Sequence, residues 1–125
     1  MKEYHLTTED ATLPKLKLVQ MESPYTGDIE RNLAYARDAM RDCFMRGEAP
    51  FASHLLYTQA GVLDDKLPDE RSLGIGAGLL WGAHATLVVI YTDLGISGGM
   101  AAAIRRANQD MRQIEYRQLL AWSHI

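Results

Sequence analysis

The stretch ATLVVIY at residues 85–91 constrains the fold more than any other feature of the chain. A short unbroken run of apolar and β-branched residues is the signature of a strand buried on both faces. Strands are buried on both faces where helices pack above and below a parallel sheet. A glycine-rich turn, DLGISGG, follows the run directly and leads into a helical segment predicted over residues 98–110. Strand, glycine turn and helix in that order form half of a β-α-β unit, so the neighbouring segments are expected to alternate in the same way.

They do. Residues 16–22, LKLVQME, alternate apolar and polar side chains and stop at Ser23-Pro24, where proline excludes a helix. From there Ile29, Leu33, Ala36, Met40 and Phe44 recur at helical spacing, opposite Arg31, Arg37, Asp38, Arg41 and Asp42, up to a capping Gly47. A second strand is predicted at residues 49–53, a helix from Pro68 and a last strand at residues 113–116. Gly74, Gly76, Gly78 and Gly82 each cost about 1 kcal/mol relative to alanine inside such a helix, which predicts close backbone packing against a neighbour. The connection HLLYTQAGVLDDKLP is long for a compact domain and reads as a functional lid.

The expected architecture is one doubly wound α/β domain with a mostly parallel sheet of four to five strands, Rossmann- or flavodoxin-like. It spans residues 15–117, between an N-terminal arm at 1–14 and a C-terminal tail at 118–125. A chain of 125 residues supports a single core of this kind. Strand order is expected to reverse between the first and third strands, and ligands of such sheets bind outside the carboxyl ends of the strands at the reversal.

Two loops lie at that edge. Residues 23–28, SPYTGD, offer the Ser23 hydroxyl, the rigid Pro24, the Tyr25 ring and Gly27, with Arg31 and Asn32 in the first turn of the following helix. Residues 93–99 bring Gly95, Ser97, Gly98 and Gly99, with Met100 behind them, to a helix start suited to an anion. His54 and Tyr57 follow the second strand near the same rim. Together these residues are the expected contacts of a phosphate- or ribose-bearing ligand. The plainer alternatives are an N-cap for Asp28, a solvated charge for Arg31 and an ordinary glycine turn after the third strand.

Glu22, Asp93 and His54 are the candidates for acid, base or nucleophile, although spacing alone selects none of the rim carboxylates. LGIGAG at residues 73–78 follows no strand, so its glycines read as packing and not as a dinucleotide fingerprint. His84 falls at the opposite rim and His5 and His124 in the termini. Cys43 is expected as a small core residue. No metal-ligand spacing occurs, and neither a metal nor a cofactor is expected.

A net charge of −3 argues against duplex nucleic acid as partner. No apolar run is long enough for a bilayer, and the polar start MKEYHLTTEDATLPK is unlike a signal peptide. A cytoplasmic protein is expected, in the host cytoplasm if a phage encodes it.

The runs SPYTGD, SHLLYTQ and DLGISGGM together resemble a family of uncharacterised bacterial and phage domains akin to the nucleoside 2-deoxyribosyltransferases, over residues 16–117. The resemblance implies a deoxyribosyltransferase-like fold that holds a nucleoside or nucleotide at this rim. In the wider superfamily, including the deoxynucleoside 5'-monophosphate N-hydrolases, such sites cleave the N-glycosidic bond, and sites are often completed across a dimer. The position matching their nucleophilic glutamate, six residues beyond Ser97, is Ala103, and the position matching a second acidic residue, three before Trp81, is Gly78. The expectation is therefore a homo-oligomeric binder of a small nucleotide or nucleoside, sequestering or sensing it. The alternative is an N-glycosidase or deoxyribosyltransferase whose catalytic groups have moved to Glu22, Asp93 or His54. A third option is an assembly protein that binds no ligand.

Overall fold

The computed structural model describes residues 13–123. Four strands, β1 (Lys17–Glu22), β2 (Glu48–Phe51), β3 (Leu87–Tyr91) and β4 (Gln113–Arg117), form one sheet in the order β2-β1-β3-β4. Every neighbouring pair is parallel. The helices are α1 (Ile29–Met45), α2 (Ser53–Leu56), α3 (Pro68–Gly82) and α4 (Gly98–Gln109). The chain moves from β1 outward to β2, then returns past β1 to β3, so strand order reverses between β1 and β3 as expected. Glu22 pairs with Ile90 in register, which sets the loops after β1 and β3 side by side.

Alternation along the strands divides the core in two. Val19, Met21, Leu87, Val89 and Tyr91 meet Tyr35, Ala36, Ala39 and Cys43 of α1. On the other face Val88 and Ile90 pack with Met100 and Ala107 of α4. All five residues of β3 are buried, as its sequence required.

The buried face of α1 is a correction to the predicted stripe. Asn32, Tyr35, Ala36, Ala39 and Cys43 are buried, whereas Ile29 and Phe44, expected inside, are exposed. The helix carries two overlapping stripes, and the buried one holds Asn32, bonded to the loop just before the helix, and Tyr35, bonded to Asp93 far along the chain. Asp42, expected on the solvent face, accepts a hydrogen bond from the Tyr91 hydroxyl at 2.7 Å.

The second strand ends at Phe51 instead of Ser53, because α2 starts at Ser53. The long connection is accordingly part helix and part turn, closed by bonds such as Leu63 N–H to the Tyr57 carbonyl at 3.1 Å. The glycines of α3 divide into two kinds. A Cβ on Gly78 would lie 2.9 Å from Ser53 Cβ, and one on Gly82 would strike the Gln20 amide. At Gly76 nothing lies within 4 Å. Residues 1–12 of the expected arm, His5 and His124 lie outside the described residues.

Candidate functional site

A cleft of about 450 Å³ opens at the carboxyl edge of β1, walled by α3 and α4. Gln20 and Glu22 contribute from the strand, because they alternate with the core residues Val19 and Met21 and so point to the face where these helices pack. Tyr25 and Thr26 border it from the β1–α1 loop, and His54 and Tyr57 from α2 and its end. The volume falls in the range of small-molecule sites.

Of the residues singled out in the sequence, Glu22, Ser23, Tyr25, His54, Tyr57, Ser97, Gly99 and Met100 line this cleft together. Gly27 lines an adjoining hollow of about 720 Å³ between the β1–α1 loop and residues 58–66. Pro24, Arg31, Asn32, Gly95 and Gly98 border neither hollow. Asn32 is buried and donates through Nδ2 to the carbonyls of Tyr25 (2.9 Å) and Thr26 (3.0 Å), so it fixes the shape of the loop that presents Tyr25. Arg31 in turn donates to Asn32 Oδ1. Asp28 caps α1 by accepting from the Arg31 amide, and Ser97 caps α4 by accepting from the Met100 amide.

Asp93 lies outside both hollows. Its Oδ1 accepts from the Tyr35 hydroxyl at 2.5 Å and from the Leu119 amide at 2.8 Å. These bonds tie the start of the C-terminal tail to α1, and Trp122 continues the attachment, edge-on to Tyr35 at 4.9 Å with its indole N–H on Asp38. The tail thus packs on its own domain.

Inside the cleft, burial raises the Glu22 carboxyl to about 7, against a hydrogen bond from Gln20 and the charge of Arg112, which both favour ionisation. Burial also lowers His54 to about 4, so its ring is neutral at physiological pH, and Nε2 lies 2.7 Å from the Ser23 hydroxyl. A carboxyl that gives up its proton near neutrality can either donate or accept one, and the neutral imidazole fixes the position of a buried hydroxyl beside it.

These two groups give the fold opposing pH dependences. Between pH 4.5 and 7 the folded state keeps the Glu22 proton that the unfolded chain has lost, so this contribution falls as pH rises. His54 acts oppositely between 6.5 and 4, where the unfolded chain takes up a proton first and stability falls as pH drops. The stability of Glu22→Gln relative to wild type is therefore expected to grow by about 2–3 kcal/mol as pH rises from 4.5 to 7. Denaturant midpoints measured across that range check it. A constant difference would mean that Glu22 titrates normally.

Sequence reasoning missed much of the helical wall. Arg71 from α3 and Arg105, Arg106 and Gln109 from α4 line the cleft, together with Ser53 and Gln20. The available signal was small residues on facing helices, Gly74 and Gly78 opposite Gly99, Ala102 and Ala103, which leave a trench between them. Gly78 and Ala103, which match the carboxylate positions of the resembling enzymes, both border this space. Ser53 leaves no room for a side chain at Gly78.

Among the described residues no group of three or more His, Cys, Asp or Glu side chains is placed to hold a metal ion. No described helix is long and apolar enough to cross a membrane. No curated protein and no solved structure matches the chain. One family model does, over residues 17–117, and the chain accordingly belongs to the family described as Domain of unknown function (DUF7768).

Proposed function

We propose that the cleft binds a nucleoside or nucleotide. The observation that carries this reading is the convergence of Tyr25, Tyr57, Ser97 and three arginines on one cavity at the strand-order reversal. The tyrosine rings supply faces for a base. First-turn N–H groups of a helix lack intrahelical acceptors, and Gly99 of that turn borders the cleft beside Ser97, a setting for phosphate or sugar oxygens. Arg71, Arg105 and Arg106 border the same trench, Arg71 beside Asp65 at 3.8 Å and Arg106 bonded to Asp110 at 3.0 Å, with Asp65 and Glu70 on the wall as well. The absence of carboxylates at Gly78 and Ala103 favours binding with the ligand left intact, as in sequestration or sensing.

One observation favours a second reading, N-glycosidase or deoxyribosyltransferase chemistry. Glu22 borders the cleft with a proton affinity suited to protonating a departing base. Incubation with deoxynucleoside monophosphates, nucleosides and NAD-derived nucleotides, followed by chromatography, separates the two. The binder reading expects tight binding and no free base. Free base that disappears in a folded Glu22→Gln variant would establish the enzyme instead.

The partner surface of this reading is α3. Leu73, Leu80 and Trp81 are each more than half exposed, and apolar surface of this kind on one helix marks a place where a partner packs. Gly76 has open space beside it, which permits another backbone to approach. A second copy supplies a matching patch by two-fold symmetry. Sedimentation is expected to show a dimer that Leu80→Lys converts to monomer. A monomeric wild type at micromolar concentration would contradict this.

A further inference from the structure

Arg112 follows α4 and is absent from the cleft wall, yet its head group is committed to two acceptors, one of which borders the cleft. Nε donates to the Ala85 carbonyl at 3.1 Å and Nη2 to Gln20 Oε1 at 3.0 Å. With Oε1 occupied as acceptor, the NH₂ group is the end of the Gln20 amide left to serve Glu22, two residues along the same face of β1. Gly82 of α3 completes the arrangement. A Cβ there would strike the Gln20 amide, 3.0 Å from Cδ, so the glycine preserves the room that Gln20 occupies.

We propose that Gln20, on the cleft wall, and Arg112, behind it, are positioning residues for Glu22, presenting its carboxyl to the cleft and tuning its charge. This rests on the reading of the cleft as the ligand site. An ionised carboxylate only accepts hydrogen bonds, so the Gln20 donor and the positive charge behind it both favour the ionised form, against burial. Ligand oxygens or ring nitrogens meet a donor when Glu22 holds its proton and an acceptor when it does not. Arg112 sets where that change falls.

Other charged groups also border the cleft. Asp65 and Glu70, near the start of α3, and Arg71, Arg105 and Arg106 are among them. Tyr25, Tyr57 and His54 face the same space, the last lowered to about 4 and so neutral across the relevant range. Arg112 differs from all of these in being hydrogen-bonded to Gln20, two residues from Glu22 on the same face of β1.

The test is a carbon-13 titration of the Glu22 carboxyl in the free protein, as wild type, Arg112→Met, Arg112→Lys and Gln20→Met. The wild-type midpoint is expected near 7. It should rise by about one pH unit in Arg112→Met and Gln20→Met, with Arg112→Lys closer to wild type. A merely structural Arg112 would change stability and leave the midpoint alone, so an unmoved midpoint in folded Arg112→Met or Gln20→Met overturns the proposal. If Arg112→Met fails to fold, Gln20→Met decides the matter. A second arm follows deoxynucleoside monophosphate affinity against pH, whose inflection should shift with the midpoint. A shifted midpoint with no binding at any pH supports the positioning role and refutes the nucleotide reading.

Discussion

Arg117→Met is expected to lower folding stability by about 3–5 kcal/mol, the usual result of leaving one partner of a buried ion pair alone. Arg117 ends β4, and its guanidinium grips Glu48 of β2 at 2.7 and 2.6 Å, joining the two edge strands of the sheet. Both side chains are nearly out of solvent, at 3% and 9% exposure. Tyr91 and Glu115 accept further hydrogen bonds, at 3.2 and 3.0 Å. Burial alone would lower the Arg117 proton affinity, but these bonds hold it above its ordinary value. Removing the cation strands the Glu48 carboxylate in the core. Since small domains have only about 5–15 kcal/mol in total, the loss should be plain in a urea titration. Replacing both residues with methionine should recover most of it, because no unpaired charge then remains. A single variant as stable as wild type would mean that water reaches Glu48 freely.

Ala103→Phe is expected to weaken nucleotide binding at least about 100-fold, or about 2.7 kcal/mol, while leaving the fold intact. Ala103 lies on the α4 wall, where a ring would project into space that the ligand needs. The helix loses only about 0.5 kcal/mol of intrinsic propensity by the exchange. Thermal melting and equilibrium dialysis of the same preparation separate the two effects. Unchanged affinity in a folded variant would move the ligand elsewhere, the hollow beside Gly27 being the nearest other space.

The features legible in the sequence were those written in local pattern. The buried β3 run, the alternation in β1, the proline and glycine boundaries and the resulting strand reversal all follow from periods of two and 3.6 residues. The same logic brought Glu22, Ser23, His54 and Ser97 to one rim. What escaped depends on side-chain partners that no periodicity shows, some of them far away in the chain. Tyr35 is buried because its hydroxyl meets Asp93, and Asn32 because it clamps the Tyr25 and Thr26 carbonyls, so the inner face of α1 is more polar than a hydrophobic stripe suggests.

Asp93 shows the converse. Its place after the central strand made it a catalytic candidate, yet its Oδ1 accepts from Tyr35 and the Leu119 amide and it borders neither hollow. Arg71, Arg105 and Arg106 look like solvated helix charges in sequence, and only the trench between α3 and α4 gives them a common target. The role of Gln20 depends on Arg112, 92 residues away.

Calorimetric titration of the wild-type protein and Ala103→Phe with deoxynucleoside monophosphates, nucleosides and NAD-derived nucleotides tests the nucleotide cleft most directly. Saturable binding of at least one of these by the wild type, lost in the folded variant, is the predicted result. No binding of any member of the panel, or equal binding by both proteins, would contradict it.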